Sequence, residues 1–121
     1  PISPPNAAKP LAPYTPAIST GDLVFLSGQI ALDEHGNLHM SDIATETRRV
    51  MDNIGTLLQA AGLDHSHLVK VTIFLSDMTH YAAVNEVYGT YFRDTPPARE
   101  AVAVKGLPRG VNVEVSGSAL R

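Results

Sequence analysis

The residues best suited to chemistry in this sequence are an arginine and a glutamate in its last quarter. Arg99 closes Thr95-Pro96-Pro97-Ala98-Arg99, and Glu100-Ala101-Val102-Ala103-Val104 follows as a short apolar strand. Among small apolar neighbours a guanidinium has no surface reason to be there, and its planar fork suits bidentate capture of a carboxylate. Glu114 lies on the returning segment Asn112-Val113-Glu114-Val115-Ser116. A turn centred on Leu107-Pro108 pairs odd positions of one segment with even positions of the other, so Arg99, Ala101, Glu114 and Ser116 are expected on one face. Two readings follow. Arg99 and Glu114 form a structural ion pair, or Arg99 anchors a substrate carboxylate while Glu114, its pKa raised in a partly apolar cleft, moves a proton. The histidines are weaker candidates. His65-x-His67, His35, His39 and His80 fall in expected turns without converging carboxylates, so no metal site is expected.

The elements that must position these residues can be read from pattern. Residues 1–16 hold six prolines and read as an extended arm. Leu23-Val24-Phe25-Leu26 before Ser27-Gly28-Gln29 reads as a strand apolar on both faces, and Asp33-Glu34-His35-Gly36-Asn37 as the turn that closes its hairpin. Ser41 is expected to cap a helix over about 42–61, with Gly62 just past its end and Ile43, Val50, Met51, Ile54, Leu57, Leu58 and Ala61 on one stripe. Val69–Leu75 alternates as a strand. Asp77 and Thr79 offer caps for a second helix over about 80–93, with Tyr81, Val84, Val87, Tyr88, Tyr91 and Phe92 on its apolar side; Asn85 reads as a structural loop contact. Strands over about 98–104 and 112–119 complete the order ββαβαββ. Two helices cover one face of such a sheet. The other face, which includes Val102, needs a partner, and a homo-oligomer is the economical one.

At 121 residues the chain is one domain, 1–121, with 44% hydrophobic residues and a mean hydropathy of +0.01. No apolar run approaches the ~20 residues of a membrane span. The first residues show no basic region leading into an apolar stretch, and there is no cysteine, so a cytoplasmic location is expected, without disulfides or thiolate chemistry. The formal charge of −3, with scattered basic residues, argues against a nucleic-acid partner.

With these residues placed, the chain resembles the RidA family, also called YjgF or L-PSP, over nearly its whole length. The resemblance rests on Pro13-Tyr14, Ser27-Gly28-Gln29-Ile30, Asp52-Asn53-Ile54, Ala60-Ala61-Gly62-Leu63, Val69-Lys70-Val71-Thr72-Ile73-Phe74, Val84-Asn85 with Tyr88, Pro97-Ala98-Arg99, and Leu107-Pro108 before Val113-Glu114. It implies a chorismate-mutase-like α+β fold and a homotrimer with sites between subunits. It also implies a hydrolase, needing neither cofactor nor metal, that deaminates enamines and imines of the 2-aminoacrylate type to 2-oxo acids and ammonia. By the same resemblance Arg99 grips the substrate carboxylate and Glu114 positions water. Tyr14 and Ser27 line the pocket, and the amides of Gly28 and Ala101 donate hydrogen bonds there. Tyr14 can also simply pack, and Ser27 can simply satisfy backbone at a strand end. The chain departs from the family pattern at Ala12, where glycine is usual, and at Ala101, where cysteine is usual. The second change admits a dedicated substrate such as an aminomuconate-type enamine. Ribonuclease-like and chaperone-like roles, described for some members, are the other classes.

Overall fold

The computed structural model describes residues 1–2 and 13–121; most of the expected proline-rich arm, residues 3–12, lies outside the described residues. Five strands form one mixed sheet in the order β1-β2-β5-β3-β4: β1 Ala17–Thr20, β2 Leu23–Gln29, β3 Leu68–Leu75, β4 Ala98–Ala103 and β5 Val113–Leu120. Helices α1 Ile43–Ala60 and α2 Tyr81–Gly89 both lie on one face. The α+β class and the one-sided helix layer agree with the sequence expectation. Among the described residues, no helix is long and apolar enough to cross a membrane.

Helix α1 follows from its stripe. Val50, Met51, Ile54, Leu57 and Leu58 recur at helical spacing and are at most 2% exposed. Its cap is Asp42 rather than the expected Ser41: Asp42 is extended, and its carboxylate accepts the Thr45 N–H. The helix stops where Gly62 turns left-handed (φ +78°), with Gly62 N–H donating to the Gln59 carbonyl and Leu63 N–H to that of Leu58. Asp77 caps a 3-10 turn, Met78–His80, that leads into α2. This second helix ends at Gly89, short of the expected 93, although Tyr91 and Phe92 still pack on the core.

Two pairings differ from expectation. The hairpin partner of β2 is β1, through a two-residue turn at Gly21-Asp22, and Asp33–Asn37 closes only a loop with a single bridge, Leu32 to Leu38. Strand β1 was hidden because it is short and abuts the proline-rich arm. More consequentially, β4 and β5 form no hairpin, because β3 lies between them. Strands β3 and β4 are joined by a segment containing α2 and are therefore parallel, as such a crossover requires, while β5 returns antiparallel on the other side of β3. In this register Val71 pairs with Arg99 and Ile73 with Ala101, whereas Phe74 pairs with Glu114 and Thr72 with Ser116. Side chains alternate along each strand, and Val71 and Ile73 are buried under the helices. Arg99 and Ala101 therefore face the helix layer, while Glu114 and Ser116 face the open side. The shared face expected from a hairpin does not exist.

The open side carries a Lys70–Glu100 ion pair with Thr72 donating to the same carboxylate. Around it lie exposed apolar side chains, among them Phe25 (45%), Val102 (42%) and Leu120 (46%). The uncovered apolar face expected from the element count is therefore present.

Candidate active site

Each functional side chain is held by a different local device. Arg99 sits on the edge strand β4, turned toward α2. Its Nη2 donates to the Tyr81 hydroxyl at 3.0 Å, and its guanidinium carbon lies 5.6 Å from the Tyr81 ring centroid and 5.0 Å from that of Tyr88. The expected ion pair with Glu114 does not form within the chain. Among the described residues the ion pairs between Lys or Arg and a carboxylate are Arg49–Glu34 and Lys70–Glu100, so Arg99 has no carboxylate partner there. Burial pushes the Tyr88 phenol above its usual range, against the opposing pull of Arg99.

Glu114 occupies the other side of the sheet, beside Gly28. Strand β2 slips register against β5 between Leu26 and Gln29, which lifts Ser27-Gly28 out of the regular ladder. A Cβ built on Gly28 would stand 2.9 Å from the Glu114 Cδ and 3.1 Å from its Cγ, with one carboxylate oxygen nearer still. Glycine here is the condition for the carboxylate to lie where it does. Among the described residues Glu114 has no hydrogen-bond or ion-pair partner, and partial burial raises its pKa from the ordinary carboxylate value. The Ser27 hydroxyl donates to the Thr15 carbonyl at 2.6 Å and the Ser27 N–H to the Pro16 carbonyl. Ser27 thus ties down the segment that carries Tyr14, whose side chain is half exposed.

The candidates therefore fall into two groups. Arg99 and Ala101 belong to the β4 edge and helix side; Tyr14, Ser27, Gly28 and Glu114 belong to the β2–β5 side. An edge strand leaves part of its amide row without ladder partners, so β4 can donate backbone hydrogen bonds to a ligand.

Three features were not assigned to the site from sequence. Tyr81 and Tyr88 read only as apolar helix positions, although their spacing of seven residues puts them on one side of α2. The Asn85 Oδ1 and Tyr88 hydroxyl between and beside them are buried without a hydrogen-bond partner among the described residues, so the loop contact expected of Asn85 is not made through its oxygen. Glu46 is fully buried in α1 and accepts hydrogen bonds from the N–H groups of Asn112 (2.8 Å) and Val113 (2.9 Å) and from the Asn112 amide (3.0 Å). It fixes the start of β5 immediately before Glu114. The signal was a carboxylate inside the apolar stripe, four residues before Val50. The histidines serve local structure: His65 faces the Met51 carbonyl at 2.9 Å, His39 pairs with Asp33, and His67 accepts the Asp64 N–H.

The chain is thus a two-helix, mixed-sheet protein in which, among the described residues, an arginine at one sheet edge and a glutamate beside a glycine have no charged partner. Comparison with known proteins names the family. The model of the family described as endoribonuclease L-PSP matches residues 4–121, and the chain belongs to this family, that of the RidA and YjgF proteins. It is 43% identical over 117 residues to a RutC family protein of Pyrococcus horikoshii, covering 96% of this chain and 93% of that one. It is 38% identical over 121 residues to the mouse 2-iminobutanoate/2-iminopropanoate deaminase, covering 99% and 90%. The solved structure of Escherichia coli TdcF with bound serine superposes with a TM-score of 0.93 at 32% identity, covering 99% and 97%.

Proposed function

We propose that this protein is a cofactor-independent imine and enamine deaminase that converts 2-aminoacrylate-type intermediates to 2-oxo acids and ammonia. The observation that carries this reading is the pair of uncommitted charges. Among the described residues Arg99 has no carboxylate partner, and Glu114, raised in pKa by burial, has no cation beside it. They lie on opposite sides of one sheet, so a site that uses both is built between two copies. Arg99 and Ala101 of one subunit face Tyr14, Ser27, Gly28 and Glu114 of its neighbour, in a homotrimer that covers the open apolar face. The relatives named as iminobutanoate deaminases and the serine-bound TdcF support a small carboxylate-bearing ligand.

The chemistry asks for little beyond placement. Protonation of the enamine at its terminal carbon gives the imine, which is already electrophilic. The Arg99 fork holds the carboxylate, which fixes the C=N carbon against a water beside Glu114. As the water oxygen adds to that carbon, Glu114 accepts one water proton, and the C=N electron pair passes to nitrogen, which takes a proton from solvent. Glu114 then returns its proton to the amino group of the carbinolamine. The C–N bond breaks with its electron pair leaving on nitrogen and the hydroxyl proton passing to solvent, which yields a 2-oxo acid and ammonia. Main-chain donors at Gly28 and Ala101 orient the anion.

The test pairs calorimetric binding of a 2-oxo acid with ammonia release from an imine generated in situ. Arg99→Ala should cost about 2–5 kcal/mol of binding, and Arg99→Lys should restore little because an ammonium cannot form the planar fork. Glu114→Gln should bind the acid while turnover falls. A folded Arg99→Ala protein that deaminates at the wild-type rate would sink this assignment, and RNA cleavage by the same preparation, sensitive to salt, would favour the ribonuclease reading.

A further inference from the structure

The guanidinium of Arg99 is clamped, and the clamp itself is built. Tyr88 is only 5% exposed and is braced by Phe92, with ring centroids 4.9 Å apart. The Tyr88 ring therefore cannot drift from the position that places Arg99 5.0 Å from its centroid. Tyr81, two helical turns earlier, fixes Nη2 through its hydroxyl, with its ring centroid 5.6 Å from the guanidinium carbon. Free arginine side chains lose several rotors when they bind an anion, and a guanidinium already held by two rings and one hydrogen bond has lost them beforehand. One nitrogen is committed to Tyr81, and the remaining N–H groups are available for a carboxylate. Among the described residues the buried Tyr88 hydroxyl has no partner, so the ring rather than the hydroxyl is what this position supplies.

We propose that Tyr81 and Tyr88 are positioning residues that preorganise Arg99 for the substrate carboxylate. This rests on the reading of Arg99 as the carboxylate anchor, and it assigns α2 a role in substrate affinity. Tyr81 contributes a hydrogen bond and a ring; Tyr88 contributes a ring alone.

The test measures Kd for a 2-oxo acid, and KM and kcat for the in situ imine, in five variants with thermal unfolding as the check on folding. Tyr88→Leu should raise Kd and KM about tenfold with kcat changed less than about threefold. Tyr88→Phe should stay within about twofold of wild type, and Tyr81→Phe should raise KM about threefold to fivefold. In the Arg99→Ala background, Tyr88→Leu should add nothing, because the tyrosine acts through the arginine. A folded Tyr88→Leu with unchanged Kd overturns the proposal while leaving Arg99 as anchor, provided Arg99→Ala alone weakens binding by the expected margin. An undiminished tenfold loss from Tyr88→Leu in the Arg99→Ala background also overturns it. If Arg99→Ala leaves affinity intact, both this proposal and the assigned function fail. Should Tyr88→Leu fail to fold, Tyr81→Phe decides: an unchanged KM there overturns the clamp.

Discussion

Gly28→Ala is the smallest perturbation that reaches the proposed catalytic glutamate. A methyl at this position would meet the Glu114 Cδ at 2.9 Å and a carboxylate oxygen closer than any real contact. Ordinary van der Waals contact begins near 3.4 Å, so the carboxylate must withdraw by about 1 Å or more. It is the far end of a flexible side chain on the open side of the sheet, and Gly28 needs no left-handed backbone. The strand can keep its place while the carboxylate moves. A misplacement of ~1 Å in a positioned group can lower a rate about 10²-fold, close to 2.7 kcal/mol of barrier. Ammonia release from the in situ imine should therefore fall by about that factor, with the thermal midpoint within a few degrees of wild type. Combining Gly28→Ala with Glu114→Gln should cost little more than either change alone, because both remove the same function. A folded Gly28→Ala protein turning over at the wild-type rate would refute the reasoning, since a carboxylate free to leave its place without consequence is not positioning water.

Three further outcomes are expected. Burial raises the Glu114 pKa above its ordinary 4.5, so the folded protein binds that proton more tightly than the unfolded chain. This contribution to stability is present at low pH and is lost as pH rises from 4.5 through the folded value. Urea titrations across about pH 4–7 should show the slope in wild type and lose it in Glu114→Gln, while the acid limb of kcat should lie above 4.5 in wild type. Glu46→Ala leaves the Asn112 and Val113 N–H groups without their acceptor and should cost about 2–5 kcal/mol in denaturant unfolding, whereas an unchanged midpoint would mean the buried carboxylate is dispensable. Light scattering of the wild type should return about three times 12.9 kDa. Phe25→Asp, on the open side, should yield a smaller, inactive species, and a folded wild-type monomer would remove the case for shared sites.

Local signals carried much of this protein. The helix stripe from Val50 to Leu58, the Gly62 stop, the alternation of Val71, Ile73 and Leu75, and the excess of sheet over helix cover are all short-range patterns or simple counts. They were enough for the α+β class, the one-sided helix layer and the uncovered face. Arg99 and Glu114 also stood out by type, because an isolated guanidinium or carboxylate among apolar neighbours is anomalous wherever the chain goes.

Tertiary structure decided how those residues meet. A turn signal at Leu107-Pro108 is equally compatible with a hairpin and with a connection that passes over an intervening strand. Strand β3 takes the middle because the segment containing α2 joins it in parallel to β4, while β5 buries Val113 and Val115 on its other side. That single exchange of neighbours puts Arg99 and Glu114 on opposite sides of the sheet. The same long-range packing brings Tyr81 and Tyr88 to Arg99, Glu46 to the start of β5, and the Gly28 bulge beneath Glu114. Strand partners and helix docking are chosen by the burial of whole faces, an energy summed over residues far apart in the chain, and no local pattern encodes that sum.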